Sequence, residues 1–286
     1  MSGASCRTGS WVERSSGRSF GYAIWVPNGG RSRRLLVIVH GFGEHGGRYR
    51  AVAESLAEQG VCVAVPDLWG HGRSGGARGD LVGIGECLHM LEAITHDVFL
   101  PASSQDRYVV FGHSFGGLAA ILWSLNRSGS LRRIVVQSPL LGLGYRVPRW
   151  KTALAPLLAR CWPTYAFSMN LDDSALSHDP AVVQRYRADP LVHGVMSARA
   201  YHAITEAQDE AMRRAKEINT PVLLLCGGED RIVSVHAAER WFHELRCEKR
   251  YVSFPGCYHE LHHETVREEV LGLIAGWTCD TLGADA

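Results

Sequence analysis

Residues Val109–Leu122 read VVFGHSFGGLAAIL, a run of strand formers that breaks into glycines and resumes as helix formers. Ser114 stands at the break, between His113 and Phe115. As a helix N-cap its oxygen would accept an orphan amide hydrogen of the first turn. That accounts for the serine but not for the glycines. Gly112 and Gly116 flank it two residues to either side, giving G-x-S-x-G, with Gly117 behind. A missing Cβ lets a strand and a helix approach where they nearly touch. The bend lifts the serine side chain above the strand end, at a helix N-terminus, which is the context a nucleophile elbow requires. A pentapeptide recurs by chance, so the rest of the chain decides its meaning.

Outward from this stretch, short apolar runs bounded by turn residues alternate with helical patterns. Residues 35–40, 61–66, 107–112, 133–138, 221–227 and 249–255 read as strands, and 19–27 as an added antiparallel strand. Nearly continuous apolar runs suit a parallel sheet covered on both faces. The spacing predicts helices over 49–59, 82–98, 116–127, 236–246 and 260–276, hence a doubly wound α/β sheet with right-handed crossovers. The alternation stops between Leu140 and Glu217, where helix signals continue without a strand run. Asp179-Pro180 starts one helix there, Asp189-Pro190 ends it, and Ser197 caps the next. We therefore expect a core of residues 1–139 and 218–286, interrupted by a helical cap at 140–217.

Composition narrows the function. The 286 residues are 46% hydrophobic with net charge +1, enough to bury one large core. No basic patch points to nucleic acid, and no run of eighteen apolar residues points to a membrane span. The first twenty residues are polar and lack a signal-peptide core. The eight cysteines contain no C-x-x-C pair and several fall in apolar strands, as in "VCVAV" and "VLLLC". Buried reduced thiols fit this better than a disulfide framework. The expectation is a cytoplasmic protein, with contact at a membrane surface through the cap.

A serine hydroxyl attacks only when a base takes its proton, and the base needs a third group to orient it. In a sheet of this kind those partners follow later strands, in the order Ser, acid, His. After "PVLLLC" comes "GGEDRIV", offering Glu229 and Asp230; Asp230 lies deeper in the turn and is preferred. After "KRYVSF" comes "PGCYHELHHE", where His259 falls in the loop and His262 and His263 on the expected helix. A turn acid and a surface histidine are the bland alternatives for each alone; three matches at three strand ends outweigh them. Oxyanion donors are expected from the amides of Phe115 and of Phe42, in the glycine-rich loop "VIVHGFGEHGGRY". His40 in that loop reads as a structural histidine.

One rival pattern is H-E-x-x-H, His259 to His263, the zinc-protease helix. It needs both histidines on one helical turn and a third ligand downstream. Pro255-Gly256 just before the motif and the lack of G-x-x-H after it disfavour that reading, so no metal and no cofactor is expected.

From about Tyr22 to Trp277 the chain resembles the monoacylglycerol lipase and lysophospholipase group of α/β-hydrolases. The resemblance rests on "HGFGEHGGRY", "DLWGHGRSGG", "GHSFGG", "LSHDPAVVQRYRADPLVHG", "GGEDRIV" and "CYHELHHE". It implies a Ser114–Asp230–His259 triad, oxyanion donors at Phe42 and Phe115, and a helical cap over an acyl pocket. Phe115 stands where methionine is common in the group. The implied substrate is a small lipid ester, a monoacylglycerol first, with a lysophospholipid or a short-chain ester as alternatives. A ligand-binding relative without turnover is the non-enzyme alternative.

Overall fold

The computed structural model describes residues 4–28, 32, 34–126, 129–145 and 149–281, without the side chains of 149–154. Its strands are β1 (Ser5–Val12), β2 (Ser19–Val26), β3 (Arg34–Val39), β4 (Val61–Pro66), β5 (Tyr108–His113), β6 (Leu131–Gln137), β7 (Ala166–Ser168), β8 (Val195–Ser197), β9 (Val222–Gly227) and β10 (Lys249–Phe254). The α-helices are α1 (Arg50–Glu58), α2 (Ile84–Ile94), α3 (Leu100–Ser103), α4 (Phe115–Leu125), α5 (Arg149–Cys161), α6 (Pro180–Ala188), α7 (Ala198–Arg213), α8 (Val235–Glu244) and α9 (Arg267–Thr278).

Eight strands form one sheet in the order β1-β2-β4-β3-β5-β6-β9-β10. Pairings from β4 to β10 are parallel, and β1 and β2 join antiparallel. The central strands are largely apolar because both faces are covered. Along β3, Leu35, Val37 and Val39 enter the core under α2, α4, α7 and α8. Leu36 and Ile38 enter the other, under α1 and α9. Each fully buried side chain of this size contributes about 1.5–3 kcal/mol. This is the α/β-hydrolase fold, with a helical region inserted between β6 and β9.

The strand order reverses at β3, whose neighbours are β4 on one side and β5 on the other. Loops beyond the carboxyl ends of strands at such a reversal form the crevice where open sheets bind ligands. Ser114 follows β5 and Phe42 lies in the loop after β3, so both stand at this point.

Several expectations need correction. The N-terminal residues, read only as polar, form β1, an edge strand whose side chains are nearly all exposed. The inserted region is not purely helical, since β7 and β8 pair antiparallel within it. The last helix starts at Arg267 rather than 260; Leu261–His263 is a separate 3-10 turn. The helix signals inside the insert hold: Asp179 caps α6 by accepting from Ala181 N–H, and Ser197 caps α7 by accepting from Ala200 N–H.

Candidate active site

Ser114 adopts φ 54 and ψ −115, a left-handed conformation unusual for a residue with a Cβ. Such a conformation costs on the order of 1–3 kcal/mol and persists where the surroundings impose it. Here they do. A Cβ on Gly112 would collide with the Gly116 carbonyl, and one on Gly116 with the Val39 carbonyl. The Ser114 hydroxyl makes no capping bond to α4, which removes the bland reading of this serine.

Asp230 and His259 meet across the ends of β9 and β10, which pair directly. His259 Nδ1 lies 2.7 Å from Asp230 Oδ2, with both side chains almost wholly buried. The other carboxylate oxygen, Oδ1, accepts from the amides of Ile232 and Val233 at 2.8 and 3.0 Å. Burial would raise the Asp230 pKa, but the His259 charge and these donors outweigh it and hold the carboxyl below its ordinary value. Burial likewise opposes a charge on His259, yet Asp230 wins and its pKa is raised. Glu229, the neighbouring candidate, is exposed. The end of β6 ties this pair to the elbow. Ser138 Oγ donates to the His259 carbonyl at 2.9 Å, and Leu140 N–H donates to the Ser114 carbonyl at 3.0 Å. Among the described residues the Ser114 hydroxyl has no hydrogen bond to His259; catalytic hydrogen bonds often tighten only on substrate binding.

The Phe115 amide is the first of α4, and neither it nor the Phe42 amide donates to a protein acceptor among the described residues. The two rings meet edge to face at 5.7 Å, which sets the two loops side by side. Phe115 itself is fully buried. His40 is structural, as read: its Nδ1 donates to the Gly41 carbonyl at 2.7 Å and its Nε2 accepts from Leu68 N–H at 3.0 Å. Asp67 braces the same loop, accepting from Gly46 N–H at 2.7 Å and from Arg73 N–H at 2.8 Å.

Behind the loop lies a buried ion cluster that the sequence reading missed. Arg48 grips Glu260 through two bonds of 2.6 and 2.7 Å and also pairs with Glu44. Glu44 accepts from Gly41 N–H at 2.6 Å and from the Tyr49 hydroxyl at 2.8 Å. Burial disfavours both carboxylates in charged form, but Arg48 keeps them ionised. The loop that carries Phe42 is thus bolted to the residue next to His259. The available signal was a Glu-Arg pair four residues apart inside a glycine-rich loop.

The H-E-x-x-H pattern is absorbed by these roles. It lies on a loop and a 3-10 turn rather than on an α-helix. Glu260, His262 and His263 do cluster at metal-ligand distances. Their donors are largely committed: Glu260 to Arg48 and His263, and His263 through Nδ1 to Glu260 and Nε2 to the Arg48 carbonyl. A zinc-protease helix is not formed.

The inserted region is fastened to both loops. His193 N–H donates to the Gly43 carbonyl at 2.8 Å, and His45 Nε2 lies 2.9 Å from Asp189 Oδ2. Ser177 Oγ donates to the His263 carbonyl at 2.9 Å. Glu264 accepts from the amides of His178 and Tyr258. The stretch "LSHDPAVVQRYRADPLVHG" therefore serves as a clamp on "HGFGEHGGRY" at one end and on "CYHELHHE" at the other.

Sheet, elbow and insert define an α/β-hydrolase. A sequence model of the family described as serine aminopeptidase, S33 (Hydrolase_4) matches residues 30–266. The chain is 30% identical over 258 residues to a monoacylglycerol lipase of Mycolicibacterium smegmatis, covering 90% of this chain and 91% of that one. It is 30% identical over 245 residues to an uncharacterized abhydrolase domain-containing protein of Dictyostelium discoideum, of whose length it spans only 26%. The crystal structure of Paleococcus ferrophilus monoacylglycerol lipase matches with a TM-score of 0.81 and 31% identity, covering 98% of this chain and 99% of that one. The chain belongs to this serine-hydrolase family of α/β-hydrolases, in the group that contains the monoacylglycerol lipases.

Proposed function

We propose that the chain hydrolyses the ester of a monoacylglycerol to fatty acid and glycerol through an acyl-enzyme, with Ser114 as nucleophile. His259 Nε2 takes the serine proton as Oγ attacks the carbonyl, and Asp230 holds the Nδ1–H and balances the imidazolium. The amides of Phe42 and Phe115 stabilise the oxyanion, a contribution of about 3–4 kcal/mol for such donors. His259 then returns the proton to the departing glycerol oxygen, and a water activated by the same ring releases the fatty acid. The observation that carries this reading is the buried 2.7 Å Asp230–His259 bond, set beside a serine held in a strained elbow. The substrate assignment is supported by the relatives named monoacylglycerol lipase.

The insert supports a lipid substrate. Leu157, Trp162 and Tyr165 are 56%, 64% and 58% exposed, with the exposed Arg160 among them, while Leu140, Leu141 and Ala155 are buried. Apolar side chains beside cations suit a lipid interface, aromatics at headgroup depth. We take this face to touch the membrane or micelle that holds the substrate. In the same Leu-, Trp- and Arg-rich stretch, Arg146 and the side chains of Arg149, Trp150, Lys151 and Leu154 lie outside the described residues. No helix among the described residues is long and apolar enough to cross a membrane.

The test is a hydrolysis panel of monoacylglycerols, lysophospholipids and p-nitrophenyl esters of varied chain length. Highest kcat/KM on a monoacylglycerol supports the assignment. Preference for a lysophospholipid or a short-chain ester replaces the substrate and keeps the chemistry. No turnover on any ester overturns the reading.

A further inference from the structure

Gln137 is the last residue of β6 and is completely buried, a polar side chain at the end of the apolar run LRRIVVQ. Its amide nitrogen lies 3.0 Å from His113 Nδ1 and 2.8 Å from His262 Nδ1. The amide turns its NH₂ to the two rings, so each Nδ1 accepts with its lone pair, while Gln137 Oε1 and His262 Nε2 have no partner among the described residues. His113 immediately precedes Ser114, and its ring packs 4.6 Å from His259 and 5.0 Å from His262. Three imidazoles thus lie together behind the elbow, yet the chemistry needs a proton on only one of them.

We propose that Gln137 is a positioning residue that locks His113 and His262 as neutral Nε2–H tautomers, so that the proton taken from Ser114 resides on His259 alone. The inference rests on the proposed Ser114–His259 chemistry. Protonating either neighbour at Nδ1 would set N–H against N–H and break a buried hydrogen bond. Such a break leaves a polar group unsatisfied, at a cost of about 1–3 kcal/mol.

The surroundings act in both directions. His113 is faced by His259, Glu44, Glu260 and Arg48; burial and then His259 push its pKa down to about 3. His262 stacks on Tyr49 and is faced by His263, His113, Glu260 and Arg48; burial, then His263, keep it well below the ordinary value. Two carboxylates near His113 pull toward protonation, and a donor at each Nδ1 is the local device that opposes them. Without it, a proton on His113 would repel the one His259 must accept.

The test is the pH dependence of serine labelling by a fluorophosphonate, which reads activation of Ser114 whatever the substrate. In Gln137→Glu, which has nearly the same shape, the carboxylate accepts where the amide donated and favours protonated neighbours. The extra proton must then leave before His259 can act as base. The acid limb of the labelling rate is expected to move up by about one pH unit, a tenfold lower rate on that limb. Gln137→Met, which lacks the donor, is expected to lose at least tenfold at its optimum while melting as a folded protein. Profiles superposable on the parent's in both folded variants overturn the inference. Should the variants fail to fold, ring-15N NMR of the parent decides. Bare Nδ1 signals for two of the clustered rings across about pH 5–8 support the lock, and joint titration with His259 contradicts it. No labelling of the parent would instead overturn the catalytic reading itself.

Discussion

At the scale of single residues, the sequence brought forward Ser114, Asp230 and His259 because each follows a strand and is the residue type the chemistry requires, and Phe42 and Phe115 because strand-end position alone gives their backbone amides a role. The fold brings them to one edge of the sheet. The choice of Asp230 over Glu229 has a physical content that a variant measures. Asp230 is buried on the imidazole, whereas Glu229 points to solvent. Asp230→Asn is expected to lower kcat by roughly 10⁴, since an amide favours the wrong imidazole tautomer. Glu229→Gln is expected to change it less than threefold. The sign for pH follows from His259: its raised pKa keeps the ring protonated, and therefore idle as a base, to higher pH than an ordinary histidine. The acid limb of kcat/KM should lie above about 6.5. Equal losses in the two variants would show that the acid had been misassigned. Gln137 and Arg48 escaped the reading because their meaning comes from partners far away in sequence, Gln137 with His262 and Arg48 with Glu260.

At the scale of elements, capping residues were legible and tertiary clamps were not. Asp179 and Ser197 act within a few residues of their own helices, so local rules suffice. The end of the sheet differs: "HELHH" has helical periodicity, but its hydrogen bonds go to Arg48 and to the insert, and α9 begins only at Arg267. Arg48→Met would leave Glu44 and Glu260 buried without their cation. The expected loss is about 3–5 kcal/mol in unfolding free energy, measurable by urea melts. A loss under 1 kcal/mol would mean the cluster is not a structural bolt. The insert carries a separate expectation. Leu157→Ser with Trp162→Ser removes two of the most exposed apolar side chains of the insert. Vesicle binding and turnover of micellar monoacylglycerol should fall at least fivefold, with turnover of a soluble p-nitrophenyl ester within twofold of the parent. A parallel fall on both substrates would assign these side chains to packing.

At the scale of the whole molecule, the parallel strands were legible because both faces are covered, which makes each a nearly unbroken apolar run such as Val61–Pro66. Strand β1 left no such mark: its residues are nearly all solvent-exposed, so backbone pairing with β2 alone defines it. The insert was visible as a gap in the strand rhythm, but β7 and β8, three residues each, are too short for periodicity to register. Taken whole, the sheet sets a strained serine and two free amides at its topological switch, with a buried acid–base pair at the carboxyl ends of β9 and β10 on the same side. That arrangement should hydrolyse a monoacylglycerol through Ser114. The most direct measurement is the initial rate of fatty acid release from a monoacylglycerol dispersion by the parent and by Ser114→Ala, both shown to be folded. The account predicts steady turnover by the parent and a loss of roughly 10⁶ in kcat in the variant. Comparable rates in the two proteins would contradict it.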